Sequence, residues 1–124
     1  MRALFVDDEV EFLELMQKRL TKRGINLSVA TNGQEALDIL ESTPKEEFFQ
    51  IVVMDVRMPG MDGLETLRRM KDKYPDLPII LLTGHVSMGV AVEGMELGAF
   101  DYMLKPVSLS ELLLKMEEAT KVVE

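Results

Sequence analysis

Three uninterrupted apolar runs constrain the fold of this chain more than any other feature. They are Ala3 to Val6, Ile51 to Met54 and Ile79 to Leu82, and polar or turn-forming residues bound each of them. Strands without alternation between apolar and polar side chains are typical of a parallel sheet that is buried on both faces. The chain is therefore predicted to hold a central sheet with helices packed against both sides.

Two further segments and four amphipathic stripes complete the pattern. Residues 26 to 30 and 100 to 104 alternate between polar and apolar side chains, which predicts half-exposed strands at the edges of the sheet. A further helix is expected within residues 86 to 97. The helical stripes place their apolar residues three or four positions apart, at Val10, Leu13, Met16 and Leu20; Ala36, Leu37 and Leu40; Leu64, Leu67, Met70 and Tyr74; and Leu109, Leu112, Leu113 and Met116.

Capping signals mark where these helices begin. An oxygen acceptor three residues before a glutamate predicts a capping box, and the pairs are Asp8 with Glu11, Asn32 with Glu35, Asp62 with Glu65, and Ser108 with Glu111. Five strand–helix units in succession predict an α/β, doubly wound parallel sheet with right-handed crossovers. The central and edge strands together favour the flavodoxin-like order 2-1-3-4-5. We expect one domain over residues 1–124.

Composition excludes several classes of function. The chain has 14 lysines and arginines against 22 aspartates and glutamates, a net charge of −8, so nucleic acid and anionic membranes are disfavoured as direct partners. It has no cysteine, which excludes disulfides, Cys-ligated zinc and thiol catalysis. The apolar runs are too short to span a membrane, and the start of the chain does not resemble a signal peptide. A cytoplasmic location is expected.

Polar residues that could carry chemistry follow the strands at their carboxyl ends. Asp7 and Asp8 follow the first strand, Asp55 the third, Thr83 the fourth and Lys105 the fifth. In a doubly wound sheet the functional crevice lies beyond these ends, so all five side chains should meet at one edge. Each residue alone is an ordinary cap, turn residue or surface amine. Their shared position at four strand ends is what makes the set specific.

The three carboxylates of this set predict a cation site. Two like charges about 4 Å apart repel by roughly 4 kcal/mol at an effective dielectric constant of about 20. The cluster must therefore be protonated, remain well solvated or bind a cation. Oxygen ligands in a small site favour Mg²⁺, with Mn²⁺ as an alternative.

Spaced motifs over essentially the whole chain resemble the response regulator receiver domain of bacterial two-component signalling. The motifs are VDDE at residues 6–9, VMDVRMPGMDG at 53–63, LTG at 82–84, GAFDY at 98–102 and LKP at 104–106. Residues 82–105 also show a weaker similarity to receivers that precede ATPase-type transcription activators. As in the chemotaxis regulator, a phospho-accepting switch rather than a turnover enzyme is implied.

The resemblance assigns roles to the acidic residues. It implies that Asp55 accepts a phosphoryl group from the phosphohistidine of a sensor histidine kinase. It also implies that Mg²⁺ is ligated by the carboxylates of Asp8 and Asp55 and by the main-chain carbonyl of Arg57, while Asp7 acts through a bound water. Such a metal would reduce the repulsion between an anionic nucleophile and an anionic phosphoryl group.

The resemblance also implies a switch. Lys105 would reach the phosphoryl oxygens, aimed by a cis peptide bond to Pro106, and the Thr83 hydroxyl would bind another oxygen. Tyr102 would follow Thr83 inward and reshape the surface of the fourth helix, fifth strand and fifth helix. That surface would control an output domain or protein, with a homodimer formed on phosphorylation as one form of output. From the residues alone, a half-buried aromatic of an edge strand is the more common role for such a tyrosine, and the spacing of Tyr102 before Lys105, which matches the family, favours the switch.

Two glycines inside the fourth predicted helix and the single histidine complete the expectations. Gly89 and Gly94 each disfavour a helix by roughly 0.8–1 kcal/mol relative to alanine, which predicts a marginal, mobile element. Not all of its apolar residues can face the sheet, so some apolar surface should be exposed. His85 is expected in a loop near the pocket. The resemblance implies that His85 and Arg57 tune dephosphorylation by water.

Three other functions share this topology. A metal-dependent phosphatase of the haloacid dehalogenase type would need a second aspartate two residues after the nucleophile, where this chain has Arg57. A flavodoxin-type cofactor site would need a phosphate cradle after the first strand, and the acidic residues there would repel the phosphate. A phosphorylation-independent interaction module would not require the complete set of acidic, threonine and lysine residues.

Overall fold

The computed structural model describes residues 1–57, 63–84 and 87–121 and has five strands, five helices and one short 3₁₀ turn in these ranges. The strands are β1 (Arg2–Val6), β2 (Asn26–Ala30), β3 (Ile51–Asp55), β4 (Ile79–Thr83) and β5 (Asp101–Leu104). The helices are α1 (Val10–Thr21), α2 (Gly33–Ser42), α3 (Gly63–Lys73), α4 (Met88–Glu96) and α5 (Leu109–Thr120), and the 3₁₀ turn is Lys45–Glu47. Within the described ranges, none of the helices has the length and apolar character needed to cross a membrane.

The strands form one parallel sheet in the order β2-β1-β3-β4-β5, which confirms the predicted topology. Every residue of β3 and β4 is buried, as uninterrupted apolar strands require. The outer strands β2 and β5 keep partly exposed residues, as their alternation predicts. Val6 of β1 pairs with Met54 of β3, so the next residues, Asp7 and Asp55, lie side by side.

Alternate residues of the strands feed two separate hydrophobic cores. Leu4 and Val6 of β1 point to one side of the sheet, where α2 and α3 pack. Ala3 and Phe5 point to the other side, where α1 and α5 pack. The predicted arrangement with helices on both faces is therefore confirmed.

The capping predictions are confirmed for two helices and wrong for one. Asn32 Oδ1 accepts the Glu35 N–H at 2.8 Å, and the Ser108 hydroxyl accepts the N–H three residues later at 3.4 Å. Asp8 does not cap α1, whose N-cap is Glu9 without a side-chain bond, because the Asp8 carboxylate lies in the acidic cluster at the end of β1. Val10, assigned to the buried stripe of α1, is 53% exposed at the open first turn of that helix. Asp62 lies outside the described residues.

The glycines of α4 have different environments. A Cβ on Gly94 would overlap Leu81 Cδ1, so this glycine allows α4 to approach β4 closely. A Cβ on Gly89 would have nothing within 4 Å. The predicted exposure of apolar surface on α4 is confirmed, because Val92 is 52% exposed and Met95 is 38% exposed.

Candidate functional site

Three carboxylates converge where β1 and β3 end. One oxygen from each of Asp7, Asp8 and Asp55 lies within 4.8 Å of the others. Asp7 is 1% exposed and Asp55 is 8% exposed, whereas Asp8 faces solvent. The parallel register brings these side chains together, because β1 and β3 are adjacent and Val6 pairs with Met54, which sets Asp7 beside Asp55. The site is therefore a crevice with two buried acids and one accessible acid.

Backbone amides hold the two buried carboxylates in matching orientations. Asp7 Oδ1 accepts the Glu9 N–H at 2.9 Å, and Asp55 Oδ1 accepts the Arg57 N–H at 2.8 Å. Aspartates at the start of a turn commonly bond the amide two residues later in this way. Each acid thus has one oxygen fixed by its own loop, and its Oδ2 is directed to a shared partner.

That shared partner is Lys105, which follows β5. Its Nζ donates to Asp7 Oδ2 and to Asp55 Oδ2, both at 2.7 Å, and it lies 3.1 Å from Glu9 Oε1. The same ammonium lies 4.9 Å from the centre of the Phe12 ring, within the range of a cation–π contact. The Lys105 N–H donates to the Thr83 carbonyl at 2.8 Å, and the peptide bond that follows Lys105 is cis, as predicted.

The pKa values of these groups follow from burial and pairing. Burial raises the pKa of Asp7 above its usual value, and the hydrogen bond from Lys105 offsets only part of that shift. Burial alone would lower the pKa of Lys105, but its bonds to Asp55 and Asp7 raise the pKa above the usual lysine value. Lys105 is therefore charged at neutral pH and compensates one of the three carboxylate charges.

The chemistry of this donor set fits a hard divalent cation. All three acids offer oxygen ligands, and two formal negative charges remain after Lys105 is counted. Mg²⁺ and Mn²⁺ prefer carboxylate oxygens and retain several water ligands, for which the exposed side of Asp8 leaves access. The cluster could hold such an ion.

The two predicted switch residues lie on neighbouring strands, Thr83 at the end of β4 and Tyr102 within β5. Thr83 is fully buried, and its hydroxyl donates to the Gly84 carbonyl at 3.0 Å. Tyr102 is half-buried, pairs in register with Leu81 and packs against the core on the α2–α3 side of the sheet. The predicted loop residue His85 and the segment 58–62 lie outside the described residues.

Sequence reasoning missed two neighbours of the lysine. Glu9 adds a third carboxylate around Lys105 Nζ, and its position directly after Asp7 and Asp8 was a signal that could have identified it. Phe12 places its ring beneath the ammonium, and only the packing of α1 against the sheet edge brings it there. Both contacts favour the charged form of Lys105.

Comparison with known proteins identifies the family. The profile described as "Response regulator receiver domain" matches residues 3–117. The transcriptional regulatory protein ZraR of Klebsiella oxytoca is 36% identical over 116 residues, which are 94% of this chain and 25% of that protein. Response regulator MprA of Mycolicibacterium vanbaalenii is 40% identical over 115 residues, 93% of this chain and 48% of that protein.

Solved structures that are similar to this chain include receiver domains of the same family. A response regulator receiver domain protein from Clostridium thermocellum superposes with a TM-score of 0.89 at 30% identity, covering 96% of this chain and 93% of that one. The receiver domain of NtrX from Brucella abortus gives a TM-score of 0.83 at 31% identity, covering 95% and 97%. The present chain spans a quarter to a half of the length of the curated relatives named above. It belongs to the response regulator receiver domain family of two-component signalling proteins.

Proposed function

We propose that Asp55 accepts a phosphoryl group from the phosphohistidine of a sensor histidine kinase, in a reaction that depends on Mg²⁺. The observation that carries this proposal is the pairing of Asp55 Oδ2 with Lys105 Nζ at 2.7 Å, in a crevice with two further carboxylates. Because the Arg57 amide holds Oδ1, Oδ2 is the oxygen of Asp55 that faces the lysine and the acidic cluster. Residues 1–124 would act as one receiver domain.

Asp55 and Lys105 have different roles in phosphoryl transfer. The Asp55 carboxylate forms a bond to phosphorus while the bond to the donor histidine nitrogen breaks, and the imidazole leaves with the electron pair. Lys105 places a fixed positive charge beside the oxygen that attacks, where it stabilises the charge on the phosphoryl oxygens. Its raised pKa keeps that charge present at neutral pH.

Mg²⁺ would be held by the carboxylates of Asp8 and Asp55 and the main-chain carbonyl of Arg57, with Asp7 acting through a bound water. When bound, the metal supplies positive charge that reduces the repulsion between an anionic acceptor and an anionic phosphoryl group. The acidic cluster within 4.8 Å supports this proposal.

Phosphorylation would switch the surface of α4, β5 and α5. The Thr83 hydroxyl would leave the Gly84 carbonyl for a phosphoryl oxygen, and Tyr102 on the neighbouring strand would move inward. The domain would then act as a signalling switch that promotes its own phosphorylation and dephosphorylation, and not as an enzyme that turns over a free phosphoester. Arg57, in the position where a phosphatase of similar topology needs an acid, supports this distinction.

The proposed partners are a sensor kinase and an output domain or protein, including a second copy of the chain on phosphorylation. Relatives bear the names of transcriptional regulators, one of them described as DNA-binding. Nucleic acid would be contacted by an output partner and not by this acidic domain, whose net charge is −8. We place its action in the cytoplasm, without a membrane contact.

Intact-mass spectrometry with acetyl phosphate tests the acceptor. Wild-type protein in Mg²⁺ should gain the mass of one phosphoryl group, and Asp55→Asn should gain none. Asp72→Asn, which changes an exposed carboxylate on α3, is the matched control and should be phosphorylated like the wild type. Equal phosphorylation of wild type and Asp55→Asn, or the same yield with the metal chelated, would refute the proposal.

A further inference from the structure

A buried hydroxyl without a partner lies at the start of α4. Ser87 is 1% exposed, and its Oγ is the one buried side-chain oxygen or nitrogen in the described ranges that makes no hydrogen bond. Ser87 is the N-cap residue of α4, yet its side chain makes no capping bond and its φ of −111° and ψ of 15° are not the extended values of a typical cap. A buried hydroxyl in this state is unfavourable and calls for an explanation.

The backbone of Ser87 is linked to the candidate site through one carbonyl. The Ser87 N–H donates to the Gly84 oxygen at 3.0 Å, and the Thr83 hydroxyl donates to the same oxygen at 3.0 Å. A carbonyl oxygen has two lone pairs, so these two donors fill it. Any movement of the Thr83 hydroxyl therefore leaves a vacancy at the atom that Ser87 already contacts.

We propose that Ser87 is a positioning residue of the switch, whose hydroxyl replaces that of Thr83 on the Gly84 carbonyl when Thr83 turns to a phosphoryl oxygen. The inference rests on the proposed function of the crevice. Serine hydroxyls commonly bond the carbonyl three residues earlier, and the Ser87 amide already lies at bonding distance from that oxygen. The movement needed at Ser87 is a rotation of its side chain.

The exchange of hydroxyl donors on the Gly84 carbonyl lowers the free energy of the switched state relative to the resting state. In the resting arrangement Thr83 is bonded and the Ser87 hydroxyl is not. In the switched arrangement Thr83 bonds the phosphoryl group, Ser87 bonds the Gly84 carbonyl, and no hydroxyl is left unpaired. The unpaired Ser87 hydroxyl thus raises the free energy of the resting state and favours the switched state.

Ser87→Ala tests this direction, because it removes the hydroxyl from both states. Affinity for beryllofluoride in Mg²⁺, a phosphoryl mimic, should fall about tenfold in an NMR titration, which is the equivalent of about one hydrogen bond. The thermal midpoint of the ligand-free variant should equal or exceed that of the wild type. Ser42→Ala, at an exposed position on α2, is the matched control and should bind like the wild type.

A purely structural serine would behave differently. If Ser87→Ala lowers the thermal midpoint, or if it binds beryllofluoride as tightly as the wild type, the inference is overturned. A double-mutant cycle adds a second readout. With Thr83→Ala, the Gly84 carbonyl is already open to Ser87 at rest, so adding Ser87→Ala should cause no further loss of affinity.

A persistent tenfold effect of Ser87→Ala in the Thr83→Ala background would contradict the exchange. The same titration separates this inference from the function on which it rests. Wild-type protein that fails to bind beryllofluoride in Mg²⁺ overturns the proposed phosphoryl site and the inference together. Wild-type protein that binds while Ser87→Ala matches it overturns only the role of Ser87.

Discussion

The charge balance in the crevice makes Asp7→Asn an informative perturbation. Asp7 is nearly fully buried and lies within 4.8 Å of Asp8 and Asp55. At an effective dielectric constant of about 20, each of these repulsions is about 3.5 kcal/mol. The attraction of Lys105 Nζ at 2.7 Å is about 6 kcal/mol on the same scale. Burial is the largest cost of the charge on Asp7, and the two repulsions offset the attraction of Lys105, which agrees with the raised pKa of Asp7.

Replacement of Asp7 by asparagine should therefore stabilise the metal-free protein. The amide keeps the size of the side chain and an acceptor oxygen for the Glu9 N–H, but its NH2 cannot accept the bond from Lys105. Lys105 Nζ keeps its bond to Asp55 Oδ2, so the main effect of the change is the loss of one buried charge. We expect a gain of about 1–2 kcal/mol at pH 7 and a thermal midpoint higher by about 3–5 °C for each kcal/mol. Because the folded pKa of Asp7 is raised, the advantage of the variant should shrink as pH falls through that pKa towards 3.8.

Thermal unfolding followed by circular dichroism measures the stability of the metal-free protein in EDTA and the gain in stability with increasing Mg²⁺. The wild type should gain stability logarithmically with Mg²⁺ once the dissociation constant is exceeded, and Asp7→Asn should gain less. Asp72→Asn is the control, because it removes a negative charge from an exposed position on α3. A variant less stable than the wild type in EDTA would refute the charge reasoning.

Four further substitutions test the packing, pairing and capping described above. Lys105→Met should destabilise the metal-free protein by about 2–3 kcal/mol at pH 7 in urea unfolding, since the ammonium lies 2.7 Å from two carboxylates and the lysine side chain is only 19% exposed. Because the folded pKa of Lys105 is raised, this loss of stability should be complete below pH 10.5 and fade above it. A loss that does not change at alkaline pH would count against the pairing. Gly94→Ala should lower the free energy of unfolding by about 1–3 kcal/mol, because the added Cβ overlaps Leu81. The matched Gly89→Ala, whose Cβ has nothing within 4 Å, should raise it by about 0.5–1 kcal/mol. Equal effects of the two substitutions would contradict the packing of α4. Asn32→Ala should lower the free energy of unfolding by about 1 kcal/mol in the same assay, because it removes the 2.8 Å hydrogen bond that caps α2. An unchanged urea midpoint would show that the cap does not contribute.

The sheet was predictable because its signal is local. Three apolar runs locate the central strands to within one residue at either end, since strands buried on both faces must be apolar throughout. Alternation in residues 26–30 identifies an edge strand, because a strand at the edge of the sheet keeps some of its residues exposed. The Asp8 cap failed because a carboxylate at a strand end can either cap the next helix or join other strand ends, and only the tertiary structure decides between them.

The sequence predicts which residues meet at the site better than it predicts the hydrogen bonds between them. The topology alone brings Asp7, Asp55 and Lys105 to one edge, because parallel strands end on the same side. The bond from Thr83 to the Gly84 carbonyl depends on side-chain rotamers, which no sequence pattern specifies. Gly94 shows the same limit, because its role depends on how closely α4 approaches β4.

Mapping the position of the phosphoryl group is the most direct test of the account. Protein treated with a small phosphoramidate and Mg²⁺ would be reduced with borohydride, which converts an aspartyl phosphate to homoserine, and fragmented for mass spectrometry. We expect homoserine in place of Asp55 and of no other aspartate, and a lower yield from Lys105→Met. Homoserine at Asp7 or Asp8, or an equal yield without Mg²⁺, would contradict phosphorylation of Asp55 at a Mg²⁺-dependent site.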